Sequence, residues 1–143
     1  MCTPIRRQRP LASPTSFLTT TKRVFTALPY NPDTDFVAMT TLVNQALVRV
    51  VNDKAKYGTV ASILAAAKAN PGKLTYASPG DDSPHHLAGL MFEGKTGVKL
   101  LHVPYKGGAP AITDLMGGVV DMAFSPLPEA LLYIKAGKVH AVG

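Results

Sequence analysis

The chain of 143 residues predicts an α/β protein with a mostly parallel sheet and helices on both faces. Two observations carry that reading. From Ala46 onward, short apolar β-type runs alternate with stretches of helical period about 8–12 residues long. Nearly every change between the two falls on Gly, Pro, Ser or Asn, the residues that punctuate chains.

In order, Pro29-Tyr30-Asn31-Pro32-Asp33 is turn chemistry, and Phe36 to Val43 reads as extended. Ala46 to Val51 is a second strand, with Arg49 read as an edge or strand-end residue whose charge snorkels to water. Asp53 to Gly58 is a loop. Thr59 caps a helix from Val60 to about Ala69, stopped by Pro71-Gly72. Leu74 to Ala77 is a short strand, broken at Ser78-Pro79-Gly80. Ser83 then stands at an N-cap and Pro84 at N1, where a missing N–H costs nothing. Leu87, Leu90 and Met91 supply the i, i+3, i+4 stripe expected to bury one face of that helix.

Gly94 to Gly97 reads as a turn and Val98 to Val103 as a strand. Pro104 to Gly108 is a loop, and Ala109 to Met116 a helix ended by Gly117-Gly118. Val119 to Phe124 is a strand, broken by Ser125-Pro126-Leu127-Pro128, and Glu129 to Ala136 is a helix with Gly137 at C′. Val139 to Val142 starts a last strand. Tyr76 and Tyr105 read as rim packing at strand ends.

The net charge of +6 suggests nucleic acid until it is located. Residues 1–29 hold Arg6, Arg7, Arg9, Lys22 and Arg23 and no acid. The ten other basic residues face nine acidic ones, so residues 30–143 carry only +1 and offer no basic excess for phosphate backbones. No nucleic-acid partner is expected. Segment 1–29 is rich in Pro, Ser, Thr and Arg, which suits a poorly ordered segment. It holds no apolar core of signal-peptide length, and no window approaches the roughly 18–20 apolar residues of a membrane span. The lone Cys2 excludes an intrachain disulfide.

Ligands of open α/β sheets sit outside the carboxyl ends of the strands. Three strand-to-helix loops share that edge: Ser78 to Ser83, Lys106 to Gly108, and Ser125 to Pro128. Helix N-termini converging there would favour a carboxylate. Ser78 and Ser83 offer hydroxyls, and Lys106 a charge that could attract an acid. Asp81 and Asp82 precede His85 and His86 at i, i+4, a pattern of metal-ligand types, but no further His/Cys cluster supports it, and no metal or cofactor is expected. A hydrolase would recruit Ser78 or Ser83 with a His and an Asp. Gly-x-Ser-x-Gly is absent, and an N-cap serine is not an activated nucleophile, so no enzyme is expected.

Several runs carry a resemblance. They are Pro71-Gly72-Lys73-Leu74-Thr75-Tyr76-Ala77-Ser78-Pro79-Gly80, His86-Leu87-Ala88-Gly89, His102-Val103-Pro104-Tyr105-Lys106-Gly107-Gly108-Ala109-Pro110-Ala111 and Thr113-Asp114-Leu115. With Leu28-Pro29-Tyr30, Asp35-Phe36 and Ile134-Lys135-Ala136-Gly137-Lys138, they resemble the Bug/TctC receptors, solute-binding components of tripartite tricarboxylate transporters. The resemblance covers about residues 25–143. It implies a type II periplasmic-binding fold of two domains, of which residues 30–143 look like the second, bracketed by crossover strands near Val37–Val43 and Val139–Gly143.

It also implies a periplasmic receptor that holds a small carboxylate or related polar solute in an interdomain cleft and meets membrane transporter subunits. The candidate ligand-binding residues are Ser78, Gly80, Asp82, Ser83, His86, Lys106, Gly107, Gly108 and Ser125. Three positions depart from the family's pattern: Asp82 where a small residue is usual, Gly108 where Ser is common, and Ser125-Pro126 where Asp-Asn or a similar pair is common. A soluble effector-sensing domain of the same fold is the alternative. Without the first domain, unpaired strand edges would favour self-association.

Deleting residues 1–29 should shift the melting temperature by only a few degrees, since about 1 kcal/mol moves Tm by roughly 2–8 °C in domains of this size range. Differential scanning calorimetry checks this; loss of folding would show that the segment supplies a packed element.

Overall fold

Val50 and Val51 are neighbours on β1 (Leu47–Val51) and both are fully buried, yet they belong to different cores. Successive side chains on a strand leave opposite faces, so a sheet with both neighbours buried must be covered on both sides. The same alternation separates Tyr76 from Ala77 on β2 (Thr75–Ser78). It also separates Met122 and Phe124 from Ala123 on β4 (Met122–Pro126). A computed structural model of the chain describes residues 27, 29–31, 34–37, 44–52, 54–81 and 83–143.

One face is covered by α1 (Lys54–Tyr57), α2 (Val60–Ala69) and α3 (Pro84–Thr96), which contribute Tyr57, Ile63, Ala67, Ala88 and Phe92. The other is covered by α4 (Gly108–Met116) and α5 (Leu127–Lys135), through Ala111, Ile112, Leu115 and Ala130. With β3 (Leu101–Pro104) and β5 (His140–Val142), the strand order is β3-β2-β4-β1-β5. β2 runs parallel to β3 and β4, while β1 runs antiparallel to β4 and β5. Four of the five strands therefore point one way. The mostly parallel sheet with helices on both faces is present, and β1 is its one reversed member.

The expected helix starts stand where their caps are. Thr59 and Ser62 form a reciprocal capping box on α2. The Ser83 hydroxyl accepts the His86 amide at 3.2 Å, with Pro84 in the first turn. Near Asn31, the amides of Thr34 and Asp35 return to its carbonyl as a turn.

Several expectations are corrected. Leu87, Leu90 and Met91 are 43%, 46% and 55% exposed. α3 packs instead through Ala88, Gly89 and Phe92. The reason is Tyr76: a Cβ on Gly89 would collide with ring carbons Cε2 and Cζ and stand 2.8 Å from the hydroxyl oxygen. Only glycine lets the helix lie on that ring. α3 also continues through Gly94 to Gly97, whose φ of 70° ends it. A single exposed glycine costs about 1 kcal/mol, too little to stop a helix.

Arg49 is not at an edge, because β1 lies between β4 and β5. Its guanidinium stacks 4.8 Å over the Phe92 ring, and burial lowers its pKa. Lys54–Tyr57 is a helical turn rather than loop. It is anchored by the Tyr57 hydroxyl, which donates to Asp121. Ser125 and Pro126 do not break β4; they pair with Val48 and Leu47, and α5 begins at Leu127. β3 begins at Leu101 and β4 at Met122, each later than expected. Tyr76 is a fully buried core residue rather than rim packing. Of the expected extended run, Phe36 and Val37 stand outside any strand, and residues 38–43 lie outside the described residues. So do Asp82 and nearly all of residues 1–29.

Asp121 ties β2 to the turn before β4. Its carboxylate accepts the Thr75 amide at 2.9 Å and the Thr75 hydroxyl at 2.8 Å, and its own amide donates to Thr75 Oγ1 at 2.9 Å.

Gly89→Ala should destabilise the chain by about 1–3 kcal/mol, the usual cost of overpacking a filled core. Urea denaturation followed by circular dichroism reads it, and an unchanged midpoint would contradict the packing described.

Candidate functional site

β2, β3 and β4 are adjacent and parallel, so their carboxyl ends, Ser78, Pro104 and Pro126, lie along one rim. The chain passes from them into α3, α4 and α5, by a loop after β2 and after β3 and directly after β4. The three helix N-termini differ in what they can still bind. α3 is capped by Ser83. At α5, the Leu127 amide donates to the Ala46 carbonyl at 3.0 Å, and Pro128 has no N–H. α4 begins at Gly107, which has no side chain to cap it. Its first-turn amides at Gly108 and Ala109 are therefore orphan donors on the rim.

Between β2, β4 and these helices lies a recess of about 20 Å³, room for one water-sized group. Ser78, Gly108 and Ser125 line it, together with His85 and Glu129. Ser78 and Ser125 are 1% and 2% exposed. Among the described residues Ser125 Oγ has no hydrogen-bond partner, and neither has the buried His85 Nδ1. The Glu129 carboxylate also lacks one. Its Oε1 would stand 3.3 Å from a Cβ placed on Gly108, so it hangs over the start of α4. Burial lowers the His85 pKa, opposed by the Glu129 charge.

The rest of the expected set is distributed differently. The Gly80 carbonyl accepts from the hydroxyls of Ser78 at 2.9 Å and Ser83 at 2.7 Å, which closes the loop on itself. Gly107 adopts φ 116° and turns the chain into α4. Lys106 is exposed and away from the recess. His86 faces elsewhere: its Nδ1 lies 3.0 Å from the Tyr76 hydroxyl, and its ring stacks on His102 at 3.9 Å between centroids.

Ser78 Oγ is 2.7 Å from His102 Nε2, and His102 Nδ1 is 3.4 Å from Asp81. The elements are those of a nucleophilic triad. The hydroxyl, however, is buried and already engaged with Gly80, so no carbonyl carbon can reach it. The chain of contacts holds the loop to β3.

Burial and the His86 charge lower the His102 pKa, against Asp81. Burial, then the charges of Glu93 and Asp81, push Tyr76 up to about 12. Tyr105 is likewise pushed to about 12 by burial and its bond to Asp114.

His85 and Glu129 are the site residues that sequence reasoning missed. A glutamate in the first turn of a helix reads as a complement to the dipole, and His85 reads as one of a pair. The available signal was position alone: each lies within the first turn of a helix that follows a strand of the parallel set.

A family model described as "Tripartite tricarboxylate transporter family receptor" matches residues 11–143. A protein in the tcbD-tcbE intergenic region of a Pseudomonas species is 38% identical over 116 residues, 81% of this chain and 34% of that relative. Protein BugT of Bordetella pertussis is 34% identical over 116 residues, 81% of this chain and 36% of its own length. Among solved structures, a periplasmic transporter matches with TM-score 0.75 and 40% identity, over 82% of this chain and 39% of that one. An R. palustris protein solved with adipate gives TM-score 0.81 and 29% identity, over 90% and 43%. The chain thus spans about a third of the length of the curated relatives it matches.

His85 and His102 both have lowered pKa values, from 6.5 in the unfolded chain. Between those folded values and pH 6.5 the unfolded state binds more protons, so their stabilisation is whole above pH 6.5 and drains as pH falls. The urea midpoint should drop from pH 7.5 to pH 5.5, and His102→Gln should flatten that drop. An equal midpoint at both pH values would refute this.

Proposed function

The chain belongs to the tripartite tricarboxylate transporter receptor family, and from that membership we propose that it contributes a solute-binding face to a periplasmic receptor. The solute is a small carboxylate or related polar molecule, received at the carboxyl ends of β2, β3 and β4. A membrane transporter takes the solute from the receptor. The relatives are solute-binding receptors rather than enzymes, so the solute is held and released unchanged.

One observation carries the reading: the uncapped N-terminus of α4 opens beside a recess lined by two buried serines. Orphan amides at a helix start attract a carboxylate through the dipole and by direct N–H donation. Gly108 lets the solute approach the backbone at that point, and the Ser125 hydroxyl is free to bond it. Ser78 stiffens the wall. Ser83 and Gly80 act through the loop they close, and Lys106 steers anions toward the rim from outside. Asp82 adds a second carboxylate beside Asp81 in the sequence, a charge that opposes an anionic solute.

The test is a titration of the ¹⁵N-labelled chain with adipate, succinate and monocarboxylates, followed by amide shifts. Saturable shifts concentrated at Ser78, Gly108, Ala109 and Ser125, weakened by Ser125→Ala, are the expected result. Binding that moves other residues, or none of these solutes binding, would overturn the proposal.

A further inference from the structure

α4 is entered through Gly107, which adopts φ 116° and offers no side chain to the first turn. Glycine has more conformational freedom than any other residue. A helix held through it alone would let the amides of Gly108 and Ala109 swing. A capping Ser, Thr or Asp would hold them still, but only by accepting the hydrogen bonds they have to give. Another restraint is present at this point, and it spares those amides.

It is Tyr105. Its amide donates to the Ser78 carbonyl at 2.8 Å, carrying the β2–β3 ladder one residue past Pro104. Its ring packs against the core to which α4 gives Ala111, Ile112 and Leu115. Its hydroxyl donates to Asp114 Oδ2 at 2.8 Å, nine residues on and beyond the middle of α4. Burial, then the bond to Asp114 and its charge, push the Tyr105 pKa up to about 12, so at neutral pH the hydroxyl keeps the proton it donates. One residue thus bridges the glycine. Its backbone is fixed to the wall that Ser78 forms, and its far end to the helix whose first amides are open. The recess lined by Gly108 also contains Ser125, 2% exposed and without a hydrogen-bond partner among the described residues. A solute group bonded to both needs them at a fixed separation.

We propose that Tyr105 and Asp114 are positioning residues of the receptor: their hydrogen bond takes the place of a cap, holding the start of α4 at a set distance from Ser78 and Ser125 while its amides stay free for the solute. The proposal rests on the receptor reading above. Neither residue lines the recess, so neither acts by touching the solute there. What they supply is order established before binding, which spares the solute the cost of fixing the loop.

Three variants of the full chain separate this role from plain stabilisation. Tyr105→Phe removes the hydroxyl alone, Asp114→Ala removes its acceptor, and Asp114→Asn keeps an acceptor while removing the charge. The wild type is titrated by NMR with adipate, succinate and acetate at pH 7.5, and the tightest binder is carried to the variants. ¹⁵N relaxation is read at Lys106, Gly107 and Gly108, and the urea midpoint is measured alongside. Tyr105→Phe and Asp114→Ala should bind about fivefold or more weakly, within the roughly tenfold that ordering one mobile group costs. Both should show larger local motion at Gly107 and Gly108. Asp114→Asn should stay within about twofold of the wild type, because its amide oxygen still accepts the bond. A bond that only stabilised the fold would lower the urea midpoint and leave the affinity of the folded chain unchanged. That result, or Asp114→Asn binding as weakly as Asp114→Ala, would overturn the inference and leave the receptor reading standing. Should Asp114→Ala not fold, Tyr105→Phe against Asp114→Asn decides in the same way. If none of the three solutes binds the wild type, the receptor reading fails and this inference with it.

Discussion

The contact between Tyr76 and Gly89 fixes how α3 lies on the sheet, and much else follows from it. A buried tyrosine must find a partner for its hydroxyl, and it finds His86 on the helix above it. The ring packs edge-on against Phe124 and nearly parallel to His102, so one residue joins β2, β3, β4 and α3. Because Gly89 lets the helix come close, the start of α3 is held against the loop that Ser78, Gly80 and Ser83 close among themselves. The rim is rigid on that side. Its open side lies at α4, where no side chain caps the helix.

That division of labour decides the electrostatics. Three helix starts face the same edge, yet one is capped by a serine and another has surrendered its leading amide to Ala46. α4, with no side chain to cap it, keeps the amides of its first turn for something outside the chain.

The alternation of strands and helices was legible because each strand's apolar residues and each helix's cap are local facts. Thr59 and Ser83 announced their helices, and the loop residues Ser78, Gly108 and Ser125 could be placed on one rim from topology alone. What stayed hidden depended on distant partners. Leu87, Leu90 and Met91 have the spacing of a buried stripe, but the ring under α3 admits only small residues, and nothing near them in the sequence says so. Arg49 looks like an edge residue until β1 is seen between two strands, where a guanidinium survives by lying on Phe92. Glu129 acts on α4, a helix twenty residues earlier, so no spacing rule reaches it.

The reversed strand has a consequence for how the chain is made. β1 leaves the ribosome first among the five strands, yet its partners β4 and β5 begin about 70 and 90 residues later. At 5–20 residues per second, that leaves Val50 and Val51 unpaired for on the order of several seconds, while β2, β3 and their helices are already able to assemble. Closing such long loops is the slow kind of folding event. β1 is thus an interior strand, between the central β4 and the edge strand β5, that must wait for both of its partners.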